Sequence, residues 1–484
     1  MSRMSRRVFA TAALAAILAA CGGTAAPASS PAPATPVPAA GPVTLVPGKT
    51  PIQHVVVIYL ENRSFDSLYG NFPGAEGLAE AGERAVQTGP DGKPYQNLPP
   101  IMNTNYSPPI PDSRFPFDSM PNKPFDIDQY VAADKQTGDL VHRYYQEQLQ
   151  IDGGKMDKFA QISDAQGLVM GYYDGSKLPV FKLAQQYTLA DHFFHAAFGG
   201  SFLNHFWLVC ACTPVFPNAP AGVVAKPGPD GLLPLDDRGK PANDGFVTPD
   251  GFAINTAYSA NTPHPASAPA ANLVPPQTMP HIGDRLDDAR VSWAWYSGGW
   301  NDALAGRADP LFQFHHQAFA YFKDLGDGTP GRAQHLKDEV DFMAALKSAN
   351  TLPQVSFIKP LGPDNEHPGY ANLVRGEQHT ADLVKAIQDS PYWKDSAIII
   401  TYDEHGGAWD HVAPPKGDRW GPGLRVPTII ISPYARKGFV DKTVYDTTAI
   451  LKFIENNWGL QALGTRDAAQ KGLDNAFDFT QKPA

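Results

Sequence analysis

The sequence predicts an α/β fold, doubly wound around a mostly parallel sheet, with helices on both faces and long loops over one end. Three observations carry this. Ile52–Leu60 (IQHVVVIYL) and Ala397–Tyr402 (AIIITY) are predominantly apolar, β-branched runs, the composition of strands buried on both faces. Such strands alternate with helix-like segments along the chain. Both runs end in oxygen ligands, Glu61-Asn62 and Asp403-Glu404. Ligands in open α/β sheets sit beyond the carboxyl ends of the strands.

In chain order, the strands expected are His54–Leu60, Ser292–Tyr296, Val355–Ile358, Ala397–Tyr402 and Val426–Ile431. The helices expected are Asp139–Gln150, Leu178–Gln186, Asn204–Cys210, Gln334–Ser348, Gly376–Asp389 and Thr447–Trp458. Two Pro/Gly-rich stretches, Gly74–Asp126 and Thr213–Gln277, break the rhythm. Loops of that length are commonly functional, and both are expected to pass over the active face.

The first 20 residues read as an export signal. Ser5-Arg6-Arg7-Val8-Phe9 is similar to a twin-arginine signal, and Val8–Ala20 is too short to span a bilayer permanently. Leu18-Ala19-Ala20-Cys21 resembles a lipobox, so Cys21 is the expected lipidated N-terminus and membrane tether. Gly22 follows, with no Asp to hold the protein at an inner membrane, which favours the periplasm or outer membrane. Residues 21–49 form the lipidated cysteine and an Ala/Pro-rich tether, and residues 50–484 the catalytic body.

Net charge is −10 with no long basic run, which argues against nucleic acid as a partner. Cys210 and Cys212 are two apart, a spacing that strains a bridge, so buried thiols are expected. Cys212-Thr213-Pro214-Val215-Phe216 starts like a formylglycine signal but lacks its closing Arg.

Glu61, Asn62, Asp403 and Glu404 form a hard donor set for one divalent ion, its identity left open between Mg, Mn, Ca, Zn and Fe. Phe198-Gly199-Gly200-Ser201 opens an apolar helix-like stretch. A helix start offers free N–H groups to phosphate, and Ser201 beside a cation is a candidate nucleophile and a further metal contact. Asn204 lies one turn on, placed to donate to a phosphate oxygen.

HVVVIYLENRSFDSLYG, GGSFLNHFWL and TYDEHGGAWDHVAPP together resemble the bacterial phosphoesterase family of acid phosphatases and phospholipases C, across roughly Pro51 to Trp458. The resemblance implies an alkaline-phosphatase-like core and carries metal ligation to Glu61, Asn62, Asp403 and Glu404. It carries the nucleophile to Ser201 and a phosphate contact to Asn204. His315-His316, His367 in DNEHPGY and His142 match the acid phosphatase branch, whose site histidines they resemble. Ser67 stands where the phospholipase branch often has His. His405 and His411 flank the Gly406-Gly407 turn and are expected to position that loop.

The expected activity is a metal-dependent acid phosphatase acting on small phosphate monoesters through a phosphoserine. A phospholipase C-type diesterase and a non-catalytic metal-binding surface lipoprotein are the alternatives. Imidazoles titrate between pH 5 and 8, so the expected optimum lies somewhat below neutrality.

Overall fold

The computed structural model describes residues 43–481. The export signal and Cys21 therefore lie outside the described residues. No described helix is long and apolar enough to cross a membrane. The last part of the expected tether does not dangle. Val46 N donates to Gln354 Oε1 at 2.8 Å, Gln354 Nε2 donates back to Val46 O at 2.8 Å, and Lys49 N donates to Asn457 O at 2.7 Å. The body thus includes Val43–Lys49, correcting the boundary expected at residue 49.

Eight strands form the main sheet: β1 (His54–Leu60), β2 (Thr188–Ala190), β3 (Trp293–Ser297), β4 (Leu336–Asp338), β5 (Val355–Lys359), β6 (Ser396–Tyr402), β7 (Thr428–Ile431) and β8 (Phe439–Asp441). Their order is β8-β2-β7-β6-β1-β5-β3-β4. The block from β6 to β4 is parallel, and β7 alone runs against its neighbours. Every residue of β1 and β6 is buried, which is why both read as continuous apolar runs. Each Val, Ile or Leu so placed contributes about 1.5–3 kcal/mol.

The principal helices are α1 (Tyr144–Ile151), α2 (Pro179–Gln186), α3 (Ser201–Cys210), α4 (Leu373–Gln388) and α5 (Thr448–Trp458). Side-chain alternation shows that both faces are covered. Tyr59 of β1 donates its hydroxyl to Asn204 O on α3 at 3.2 Å. Tyr402 of β6 pairs in register with Leu60, one residue on from Tyr59, and so points to the opposite face. There its hydroxyl meets Glu366 at 2.7 Å, and Glu377 of α4 is close enough to act on its charge.

Several elements depart from expectation. Gln334–Ser348 is not one helix. His335 ends one helix, Leu336–Asp338 pairs as the edge strand β4, and Asp338 caps a new helix at Glu339 with Asp341 completing a capping box. The stretch before Tyr144 is extended rather than helical, and its carbonyls approach the Gly199-Gly200 turn. β2 and β8 are too short to show a period. Cys210 and Cys212 are joined as a disulfide, not free thiols. Ala211 between them turns left-handed (φ 47°) at the end of α3, setting the Cα atoms 5.1 Å apart, within bridging range. A bonded Cys212 is also no substrate for formylglycine conversion.

Candidate active site

The register of the sheet assembles the site. Leu60 pairs with Tyr402, so the residues just beyond, Glu61 and Asp403, emerge side by side. Asn62 turns left-handed (φ 64°) and its N–H donates to Asp403 Oδ1 at 3.1 Å. The Glu404 N–H donates to the same oxygen at 2.8 Å. Gly406 (φ 62°) lies so close to Asn62 that a Cβ would stand 2.4 Å from its carbonyl oxygen. A side chain there would push apart the two loops that follow β1 and β6.

Ser201 is the first residue of α3, and Gly200 is its cap. Gly199 holds φ 90°, and a Cβ there would meet Tyr144 N at 2.4 Å. Both constraints require glycine. The turn delivers Ser201 Oγ to 3.0 Å from Glu61 Oε2 and 3.4 Å from Asn62 Oδ1.

The sequence-predicted histidines converge on this point. His142 Nε2 lies 3.2 Å from Asn62 Nδ2 and 3.8 Å from Glu404 Oε1. His316 Nε2 lies 3.1 Å from Glu61 Oε1. His315 packs edge-on against His316 at 4.5 Å, and His367 edge-on against His142 at 5.6 Å. A short 3-10 turn, Phe314–His316, lets two adjacent histidines both face inward. Burial pushes the imidazoles of His315 (to about 3), His316 and His367 below the usual range, so they are neutral in the free site.

Other expected residues take supporting places. Asn204 is buried, and its amide nitrogen is committed to Ala197 O (2.9 Å), Gly199 O (3.3 Å) and Gly200 O (3.2 Å) while its oxygen accepts from Ala197 N. It braces the Gly199-Gly200-Ser201 turn and has no donor left for phosphate, contrary to expectation. His411 is paired with Asp66 at 2.6 Å, beside the buried Arg425. His405 faces Glu147 rather than the mouth. The Thr213–Gln277 excursion does reach the active face, since Asn255 Oδ1 accepts from Tyr144 N at 3.0 Å.

Lys359 was not foreseen. It ends β5 fully buried, its ammonium against Glu61 Oε1 and 3.8 Å from Asp403 Oδ2. A lysine at the end of an apolar strand reads as a solvated terminus. Its only signal was the position itself, level with two ligand-bearing strand ends. His205, one turn beyond Ser201, was also passed over. Its Nδ1 lies 2.7 Å from Ser201 O, and its ring stacks on His316 at 4.9 Å.

The donor set fits a divalent cation. Asp403 Oδ2 and Glu404 Oε1 are buried with no hydrogen-bond partner among the described residues. Burial and mutual repulsion push the carboxyl groups of Glu61 and Glu404 well above the usual range. Three buried carboxylates against one lysine leave a surplus of negative charge that a divalent ion would neutralise.

A cavity of about 250 Å³ opens beside the turn, lined by Asp139, His142, Arg143, Asp164, Gly200 and Asn255 among others. It reaches Gly200 and His142, and its lining does not include Glu61, Asp403 or Glu404.

Comparison with known proteins places the chain. A Pseudomonas aeruginosa protein named non-hemolytic phospholipase C is 24% identical, the match covering 88% of this chain and 57% of that protein. Phospholipase C A of Mycobacterium tuberculosis is 27% identical, covering 90% of this chain and 78% of that protein. A solved protein of the alkaline phosphatase superfamily from Vibrio parahaemolyticus aligns over 63% of this chain and 66% of its own, with a TM-score of 0.34 and 11% identity. The sheet order above, rather than that alignment, defines the fold. Residues 52–461, from the strand that carries Glu61 to just beyond α5, match one family description, and the chain belongs to the Phosphoesterase family.

Proposed function

We propose that this protein is a metal-dependent acid phosphatase that hydrolyses phosphate monoesters through a phosphoserine on Ser201. The observation that carries the reading is the placement of Ser201 Oγ at the start of α3, 3.0 Å from Glu61 Oε2 and 3.4 Å from Asn62 Oδ1. Glu61, Asn62, Ser201, Asp403 and Glu404 would hold one divalent ion. When bound, it would polarise a phosphate oxygen and lower the pKa of the serine hydroxyl.

The chain's own groups supply the rest. Glu61 Oε2 already accepts the Ser201 hydroxyl and so offers the proton a first resting place. Oγ attacks phosphorus in line with the leaving oxygen. The N-terminus of α3 faces the phosphoryl oxygens with free N–H groups. A site histidine protonates the departing alkoxide, and His142 is the one that lines the cavity. His315, His316 and His367 wall the site. Burial disfavours their charged forms, and a phosphate dianion beside them would favour those forms. Water then attacks the phosphoserine, with the same groups in reversed roles.

The second reading is a phospholipase C-type diesterase, and the names of the relatives favour it. Quaternary ammonium recognition uses aromatic faces, and the cavity lining includes no Phe, Tyr or Trp. Hydrolysis of p-nitrophenyl phosphate against p-nitrophenylphosphorylcholine, from pH 4 to 9 with and without chelator, decides between them. Chelator-sensitive preference for the monoester in acid supports the phosphatase. Preference for the diester selects the phospholipase.

A further inference from the structure

Behind the nucleophile turn lies a second cluster that the ester chemistry does not use. Glu147, His195 and His405 are each completely buried, and one donor atom from each lies within 4.8 Å of the others. They come from α1, from the segment that follows β2, and from the loop that follows β6.

Backbone carbonyls orient both imidazoles. His195 Nδ1 lies 2.8 Å from Ala197 O, and His405 Nδ1 lies 3.1 Å from Ala408 O. A carbonyl oxygen only accepts, so each Nδ1 carries a proton and each Nε2 faces the cluster. His195 Nε2 stands 2.9 Å from Glu147 Oε1, and His405 Nε2 stands 3.7 Å from Oε2. Neither Nε2 has an aligned hydrogen bond among the described residues. An imidazole lone pair facing a carboxylate oxygen in a dry interior is unfavourable unless positive charge stands between them. A single cation relieves both contacts. An Nδ1–H donated to a backbone carbonyl is also the usual support of a metal-bound histidine.

We propose that Glu147, His195 and His405 hold a second divalent ion of the zinc class, distinct from the one at Glu61 and Glu404. Two imidazole nitrogens and a carboxylate oxygen suit zinc better than the harder ions. Its role is to brace the active site. Glu147 Oε2 accepts the Gly199 N–H at 2.5 Å, and Oε1 accepts the Leu424 N–H at 3.1 Å. His405 directly follows the ligand Glu404. One ion therefore ties the nucleophile turn to the ligand loop. Gly423 closes the cluster on another side, where a Cβ would stand 2.1 Å from His195 Cε1.

The test is the metal content of the purified full chain after zinc loading and dialysis. The wild type is expected to retain two equivalents. His195→Gln and His405→Gln should each lose one, and the Asp403→Asn/Glu404→Gln double variant should lose the other. Anomalous scattering at the zinc edge from wild-type crystals makes the test independent of whether the variants fold. A peak among Glu147, His195 and His405 supports the site. No peak there, a single equivalent in the wild type, or a folded His195→Gln chain that keeps two equivalents overturns it.

Discussion

Ser201 and Lys359 meet at one carboxylate, Glu61, and their substitutions should separate chemistry from charge balance. Ser201→Ala removes the attacking oxygen but none of the carboxylates. Turnover should fall by on the order of 10³-fold or more, with metal content unchanged by mass spectrometry. Near-wild-type turnover would rule out the phosphoserine. Lys359→Met removes a positive charge from beside two anionic donors. Without that charge a cation is attracted more strongly, so metal binding measured by chelator competition should tighten. The metal-free protein should at the same time melt at lower temperature, because Glu61 and Asp403 lose their internal counter-charge. Asn204 shows how a residue argument can find the right position and the wrong partner. The spacing placed it one turn from Ser201, but the carbonyls of Ala197, Gly199 and Gly200 take up its amide nitrogen.

At the scale of elements, the turn into α3 and the end of α5 carry separate predictions. Gly199→Ala combines a left-handed backbone, costing about 1–2 kcal/mol, with a Cβ only 2.4 Å from Tyr144 N. Expected together are a lower melting temperature and a kcat loss, since relief of the clash displaces Ser201. Glu455 in α5 faces Asp467, and burial and that neighbour raise its carboxyl from 4.5 to about 8. The folded chain thus keeps a proton that the unfolded chain releases. Stability from this group is fully present below pH 4.5 and is lost as pH rises toward 8. Glu455→Gln should therefore raise the melting temperature at pH 8 and leave it little changed at pH 4. Equal shifts at both pH values would remove the linkage argument. Elements were legible where both faces were buried, as in β1 and β6. They were illegible where neighbours decide the outcome. A three-residue strand such as β4 has no period of its own, and Asp338 breaks the helix read across Gln334–Ser348 by capping a new start. The Cys210–Cys212 bridge depends on a left-handed Ala211, which residue spacing does not encode.

For the whole molecule, the ligand set joins the ends of β1 and β6, so metal removal should be felt globally. Chelation should lower the melting temperature in proportion to binding, by about 2.7 kcal/mol of stability when free metal had stood at 100 times its dissociation constant. No change in melting on chelation would mean that the carboxylates are satisfied without a cation. The candidate donors could be grouped from sequence because a parallel sheet sends the residues that follow its strands to one end. The sequence could not place Lys359 or the Glu147 cluster, since neither follows from any local pattern.

The docking of Val43–Lys49 has a consequence for orientation. Val46 and Lys49 bind beside Gln354 and Asn457, at the end of the sheet where β1 and β5 begin. The candidate site lies where those strands finish, about 3.3 Å per residue further along. A molecule held by its leading segment would show its opening to the surrounding solution, with its back to the support. Immobilised through that end on beads, it should process small soluble esters as fast as when free.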